Sequence, residues 1–221
     1  MRTKTTLIGA ALLCAAAVSP AFAQGRTTPG GQYSLLGGTT VPAGTDVVSG
    51  EFGWPSVSFG FTHGTGPTSD VGFKFDLLFG FENTKNSQFG IGFRVPLRFL
   101  VHRRDRISVL AHVDPGIKIY TTPQAALFGF QWPIGLIVGY TATPEFNVAF
   151  GFELPMTLEV TGPGPSPVQM FLGPMFGPAF EYHVDRQLTV GFNTRFGSIF
   201  STKGGGGAFG FVTQMLLAYR L

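Results

Sequence analysis

Residues 71–83 read VGFKFDLLFGFEN, in which Val71, Phe73, Phe75, Leu77, Phe79 and Phe81 alternate with Gly72, Lys74, Asp76, Leu78, Gly80 and Glu82. A repeat of two marks a β-strand with one oily and one mixed face. The same alternation sets Phe89, Ile91, Phe93, Val95, Leu97, Phe99 and Val101 against Gly90, Gly92, Arg94, Pro96, Arg98 and His102. It returns over 146–160, where Phe146, Phe150 and Phe152 oppose Asn147, Gly151 and Glu153. Over 209–221, Phe209, Met215, Tyr219 and Leu221 oppose Gly210, Gln214, Ala218 and Arg220. The pattern predicts strands near 50–63, 70–82, 87–102, 105–120, 126–142, 145–160, 168–184, 186–202 and 207–221.

Short breaks at HRRD (102–105), TATP (141–144) and HVDR (183–186) alternate with longer ones at NTKNS (83–87), TTPQAA (121–126), TGPGPSP (161–167) and TKGGGG (202–207). An up-and-down arrangement with tight turns at one end and longer loops at the other has this rhythm. The strands above make nine, whereas bacterial single-chain barrels have an even number, so a further strand is placed at 31–40, GQYSLLGGTT, with VPAGTD as its loop. Ten strands are expected, eight being the alternative. Pro96, Pro133, Pro155, Pro174 and Pro178 fall inside these strands, where each removes a ladder donor; bulges and rims are the places expected for them.

The first 23 residues carry Arg2 and Lys4, an apolar run from Leu7 to Val18 and Ala21-Phe22-Ala23, the features of a secretory signal peptide cut after Ala23. The apolar run is shorter than the ~20 residues a spanning helix needs. Cleavage leaves 198 of the 221 residues: a short linker at 24–30 and a domain at 31–221. It removes Cys14, the one cysteine, and with it thiol chemistry and any disulfide framework. Losing Arg2 and Lys4 takes away two of the three net positive charges and leaves +1, so no nucleic-acid partner is implied.

Charged residues are 12% of the chain, against about 25% in soluble domains. Beyond the signal no run of ~18 apolar residues exists, so helical spans are excluded. An exported chain too oily for water and lacking a membrane helix is expected to be all-β, a closed antiparallel transmembrane up-and-down barrel. Alternation alone also fits a soluble lipocalin-like barrel with its oily face inward. The second face, rich in Gly, Ala, Ser and Thr, is too weakly charged to be a solvated surface, and six to eight large side chains per strand would overfill so small a barrel. Phe73, Phe75, Phe79 and Phe81 are therefore expected to face hydrocarbon, and Lys74, Asp76 and Glu82 the lumen. Phe61, Phe99, Tyr140, Tyr182 and Tyr219 fall on the oily face near the short-turn ends, where an interfacial aromatic girdle belongs.

The leader, the alternating strands and loops and the ending QMLLAYRL resemble small bacterial outer-membrane β-barrel proteins over essentially the whole mature chain. The resemblance implies insertion in the outer membrane among its lipids. It also implies a C-terminal signal for the barrel-assembly machinery, matched here by Gln214, Tyr219 and Leu221, with Leu216 in place of the usual glycine. No oligomeric state follows from it.

Lumen charges are the functional lead: Lys74, Asp76, Glu82, Arg94, Arg98, His112, Asp114, Lys118, Glu153 and Arg195. Strand registry predicts Arg94 opposite Asp76 on one neighbour and near Asp114 on the other. A structural ion-pair network is preferred to a gate, because buried charges need partners whether or not anything flows. Inward glycines leave room for water in a narrow pore. His112 with Asp114, and Glu181 with His183, are two apart on one face, with no third convergent group for a metal or a catalytic site. Outer-membrane proteases and lipid hydrolases, by resemblance, carry catalytic His at the outer rim. Here His63, His102 and His183 fall at the short-turn end and His112 near mid-strand. The expectation is a narrow passive channel for small hydrophilic solutes or a structural barrel closed by its own charges, with no cofactor; an enzyme acting on lipid or peptide is the competing class.

Overall fold

A computed structural model of the chain describes residues 33–80, 88–121, 126–160, 168–203 and 207–221. Residues 1–32, where the signal peptide and linker are expected, Phe81, Glu82 and most of the four longer loops lie outside the described residues. All regular elements are strands: β1 (Asp46–Trp54), β2 (Ser56–Gly66), β3 (Ser69–Leu78), β4 (Gly90–Arg94), β5 (Leu97–Arg104), β6 (Ile107–Val113), β7 (Gly116–Thr121), β8 (Ala126–Gln131), β9 (Ile134–Thr141), β10 (Phe146–Leu154), β11 (Met156–Val160), β12 (Val168–Leu172), β13 (Met175–His183), β14 (Leu188–Ser201) and β15 (Ala208–Arg220). They form one antiparallel sheet, ordered β12-β11-β8-β7-β4-β3-β2-β1-β15-β14-β13-β10-β9-β6-β5, and the further pairings β3–β5 and β12–β14 carry its ladders round a ring. First and last strands are neighbours, with Val48 opposite Tyr219 and Trp54 opposite Thr213.

Alternation along the chain becomes alternation between an exposed and a buried face. Phe73 and Phe79 are exposed, as are Phe52, Phe59, Phe150, Phe152, Phe209 and Met215, whereas Asp76, Glu51, Lys118, Glu159 and Glu181 are buried. Large apolar groups thus point away from the ring and charges point into it, the reverse of a water-soluble domain.

The prolines are neither at rims nor in bulges. Pro96, Pro115, Pro133, Pro155 and Pro174 separate β4 from β5, β6 from β7, β8 from β9, β10 from β11 and β12 from β13. Neighbouring breaks lie side by side. The Val95 N–H donates to the Pro115 carbonyl (2.8 Å), that of Asp114 to Pro133 (2.9 Å) and that of Gly72 to Pro96 (2.8 Å). No proline nitrogen can return such a bond. Pro178 alone sits within a strand, opposite Phe150. Pleat phase survives each break, since Gly92 and Arg98 on either side of Pro96, and Leu110 and Lys118 on either side of Pro115, are all buried.

Pro55 behaves differently. The buried positions are odd before it, at Val47 and Glu51, and even after it, at Ser56 and Ser58. A switch of phase is a turn, and Phe52 pairs with Val57. The single strand expected at 50–63 is therefore the hairpin β1–β2.

The strand expected at 31–40 is absent from the described part of that stretch, since residues 33–45 form no strand. This segment folds inside the ring, where Tyr33, Leu36 and Val41 pack with the inward side chains Val47, Leu110, Ile137 and Leu216 as the apolar core. Gly139 and Gly64 let it approach the wall, because a Cβ at either would collide with the carbonyl of Gly37 or Pro42. Gly38 takes a φ of +86°, which favours glycine.

Candidate functional site

The interior divides into a sealed end and a cavity. At the sealed end, Arg98 grips Asp70 through Nε and Nη2 (2.7 and 2.6 Å) and donates to the carbonyls of Leu35 (2.9 Å) and Ser34 (3.0 Å). Asp70 Oδ2 also accepts from the Val41 N–H at 2.7 Å. Across the ring, Glu181 accepts the N–H groups of Leu35 and Leu36, both at 2.7 Å, and the Ser34 hydroxyl at 2.5 Å. Tyr33 donates to the carbonyls of Gln187 and Ala218, each at 2.9 Å, and packs edge-on against His183. Both carboxylates are thereby saturated, the condition on which buried charges are tolerated. Arg98, expected among the lumen charges, is thus an anchor for residues 33–41.

Beyond Leu35 and Leu36 lies a cavity of about 200 Å³ that extends toward Pro55, Leu78 and Tyr120. Its wall carries a chain of polar contacts. Gln214 donates to Ser56 (3.2 Å), Ser56 meets Ser58 (3.3 Å) and Ser58 donates to Asp76 (2.6 Å). Asp76 takes a two-pronged grip from Arg94 Nε and Nη2, each at 2.7 Å. Arg94 Nη1 stands 4.0 Å from Asp114, whose other oxygen meets His112 Nδ1 at 3.3 Å. Lys74 pairs with Glu51 at 2.5 Å and Lys118 with Glu159 at 3.4 Å.

The Arg94 contacts agree with expectation although the register does not. Arg94 lies opposite Lys74, while Asp76 lies opposite Gly92, so the ion pair is diagonal. On its other side Arg94 faces Gly116.

Inward glycines serve as slots rather than as open space. Lys118 lies over Gly129 and His112 over Gly135, each directly across the ladder, and Arg195 reaches as far as Gly151; a Cβ at any of these glycines would meet the long side chain.

Arg195 and Glu153 are the exceptions in this wall. Arg195 is 8% exposed, and its Nη1 donates to the carbonyls of Gly177 (3.3 Å) and Thr194 (3.0 Å), leaving Nε and Nη2 without a partner among the described residues. Among the described residues no carboxylate stands within 4.0 Å of it, and Glu153 forms no ion pair either.

Phe61, Phe99, Tyr140, Tyr182 and Tyr219 are all exposed. Four of them mark one end of the sheet: Phe99 opposite Ser69, Tyr140 opposite Ile107, Tyr182 opposite Phe146 and Tyr219 opposite Leu188, each partner the first residue of its strand. Gln214 is buried, and Leu221 is exposed beyond the last strand. Glu82 lies outside the described residues. Sequence reasoning passed over Glu51 and Asp70. Asp70 was accessible to it, being one more even position ahead of Gly72 and Lys74, whereas Glu51 was hidden by the phase switch at Pro55. No family model matches the chain, and no curated protein matches it.

Proposed function

We propose that the 15 segments are the ten staves of one closed β-barrel in the bacterial outer membrane, five of them interrupted by proline, and that the barrel is closed rather than an open pore. Consecutive segments that share neighbours and pleat phase count as one stave, which gives ten. The observation that carries the reading is the inversion of faces, with Phe73, Phe79, Phe150 and Phe209 outward and Asp76, Lys118 and Glu159 buried within. Outward apolar side chains suit hydrocarbon, and a ring without free edges is the β-structure a bilayer accepts. The saturated contacts of Glu181, Arg98 and Asp70 with residues 34–41 favour closure over flow. In this reading lipids are the constant partners, and β15, with Gln214, Tyr219 and Leu221, is what an assembly machinery would engage.

Reconstitution of the full chain into lipid vesicles and planar bilayers tests both parts. The expected result is co-flotation with vesicles, strand-type circular dichroism and no steady conductance. A folded protein that stays in water without detergent would overturn the membrane assignment. Steady ion flow through an inserted protein would overturn the closure and restore the passive channel.

A further inference from the structure

A guanidinium buried without a carboxylate is costly, and the rest of this interior avoids that cost. Arg94 and Arg98 each hold a carboxylate two-pronged, Lys74 and Lys118 each face a glutamate, and Asp70 and Glu181 are filled by backbone N–H groups. Arg195 departs from the pattern. Its Nη1 hydrogens are used by two carbonyls, which fixes the plane of the fork, while Nε and Nη2 have no partner among the described residues. Arg195 and Glu153 line the same cavity. Neither Nε nor Nη2 is among the fully buried side-chain atoms that lack partners, so both keep some accessible surface.

The arrangement is built by the ladder. A Cβ at Gly151 would meet Arg195 Nε at 2.9 Å and Cζ at 2.7 Å, so the guanidinium lies over Gly151. Glu153 stands two residues along on β10, on the same face and about 7 Å further by strand rise. Across the next ladder Glu153 faces Gly135, and Gly135 faces His112, whose Nε2 overhangs it. Positive and negative groups therefore flank one small space, with no ion pair within 4.0 Å between them among the described residues.

We propose that the space between Arg195 and Glu153 is a binding site for a small zwitterion of amino-acid size. Its carboxylate docks on the free Nε and Nη2 edge of Arg195, and its ammonium docks on the Glu153 carboxylate. The planar fork matches a carboxylate two-pronged, as Arg94 and Arg98 already show within this interior. A ligand with both charges completes both orphan groups at once; a simple anion would leave Glu153 unpaired, and a simple cation would leave Arg195 unpaired. The site requires only the interior cavity, so it stands apart from the question of whether the exposed face meets lipid.

Calorimetric titration of the full folded chain, in detergent or in whichever medium keeps its strand signal, tests the proposal. Glycine and γ-aminobutyrate serve as zwitterions of short and long charge separation, with acetate and methylamine as probes carrying one charge each. At least one zwitterion is expected to bind tenfold or more tightly than either single-charge probe. Arg195→Gln and Glu153→Gln are each expected to remove that advantage, while Arg195→Lys, which keeps the charge and loses the fork, retains only part of it. A folded chain that takes up neither zwitterion overturns the site, as does one that binds acetate as tightly as glycine, or one whose affinity survives both glutamine variants. If one glutamine variant fails to fold, the other carries the test. Flotation with vesicles, read on the same preparation, reports separately on the membrane assignment.

Discussion

Two arginines of the same interior make opposite use of their surroundings. Arg98 spends four N–H groups on Asp70 and on the carbonyls of Ser34 and Leu35, at the end where residues 33–41 fill the ring. Arg195 spends one nitrogen on two carbonyls and keeps two nitrogens toward the cavity. The first arrangement is complete and the second is not. Burial alone therefore does not separate a structural charge from an available one, since the two residues are equally hidden at 8% exposure. The number of unsatisfied directions separates them.

The largest effect that sharpens this contrast should come from Arg98→Met. It strands Asp70 in the sealed end and is expected to cost about 3–5 kcal/mol, read as a drop in the denaturation midpoint of the folded chain. Arg195→Met strands no carboxylate and should cost much less; equal losses would erase the distinction. The exposed face supplies the next test, because Phe75→Arg is expected to cost about 2–4 kcal/mol if that position lies near mid-bilayer. Lys74→Arg, which points inward from the neighbouring position and keeps a cation facing Glu51, should be far milder, and the reverse order in bilayer refolding would invert the faces.

A pair of glycines divides the two ends more finely. Gly139→Ala drives a methyl group into the Gly37 carbonyl and should cost about 1–3 kcal/mol. Gly151→Ala meets a flexible guanidinium, so its midpoint should barely change while the zwitterion affinity falls. An unchanged affinity would show that Arg195 does not work from over Gly151.

The smallest effect lies outside the strands. The N–H groups of Leu188 and Gln187 bond Asp185 and hold its carboxyl below the ordinary carboxylate value. A lowered folded value means that the contribution is present above the unfolded value of 3.8 and is lost as pH falls below it. Asp185→Ala should therefore lower the melting temperature slightly at neutral pH, and the difference from the parent should close in acid. A difference that persisted in acid would point to some cause other than the carboxylate.

Strand existence and facing were legible because a repeat of two needs no long-range information. The inward position of Lys74, Asp76 and Gln214 follows from parity alone. The hairpin at Pro55 was legible in principle as well, since parity switches there and nowhere across Pro96, Pro115 or Pro155; an unbroken run of small and apolar residues concealed it. The internal path of residues 33–45 was not legible. Tyr33, Leu36 and Val41 lack a strict repeat, and their partners Leu110, Ile137 and Leu216 are distant in sequence. Leu216 illustrates the limit: where the resemblance leads one to expect a glycine, the side chain packs in that internal cluster. Arg94 found its aspartate despite a register two residues away, because a long side chain reaches diagonal neighbours on a ladder. No spacing rule could have singled out Arg195, since what distinguishes it is a missing partner.

The row of prolines gives the wall an uneven stiffness. Prolines separate β4 from β5, β6 from β7, β8 from β9, β10 from β11 and β12 from β13, whereas β14, β15, β1, β2 and β3 run without such a break. A sheet missing successive cross-links folds most easily along that line, so the ring carries a crease on one side and a rigid shell on the other. Its thermal breathing should then be elliptical rather than uniform, flattening across the creased half. Arg94, His112 and Glu153 sit beside the crease while Arg195 belongs to the shell, so that motion would widen and narrow the distance between the two unpaired charges.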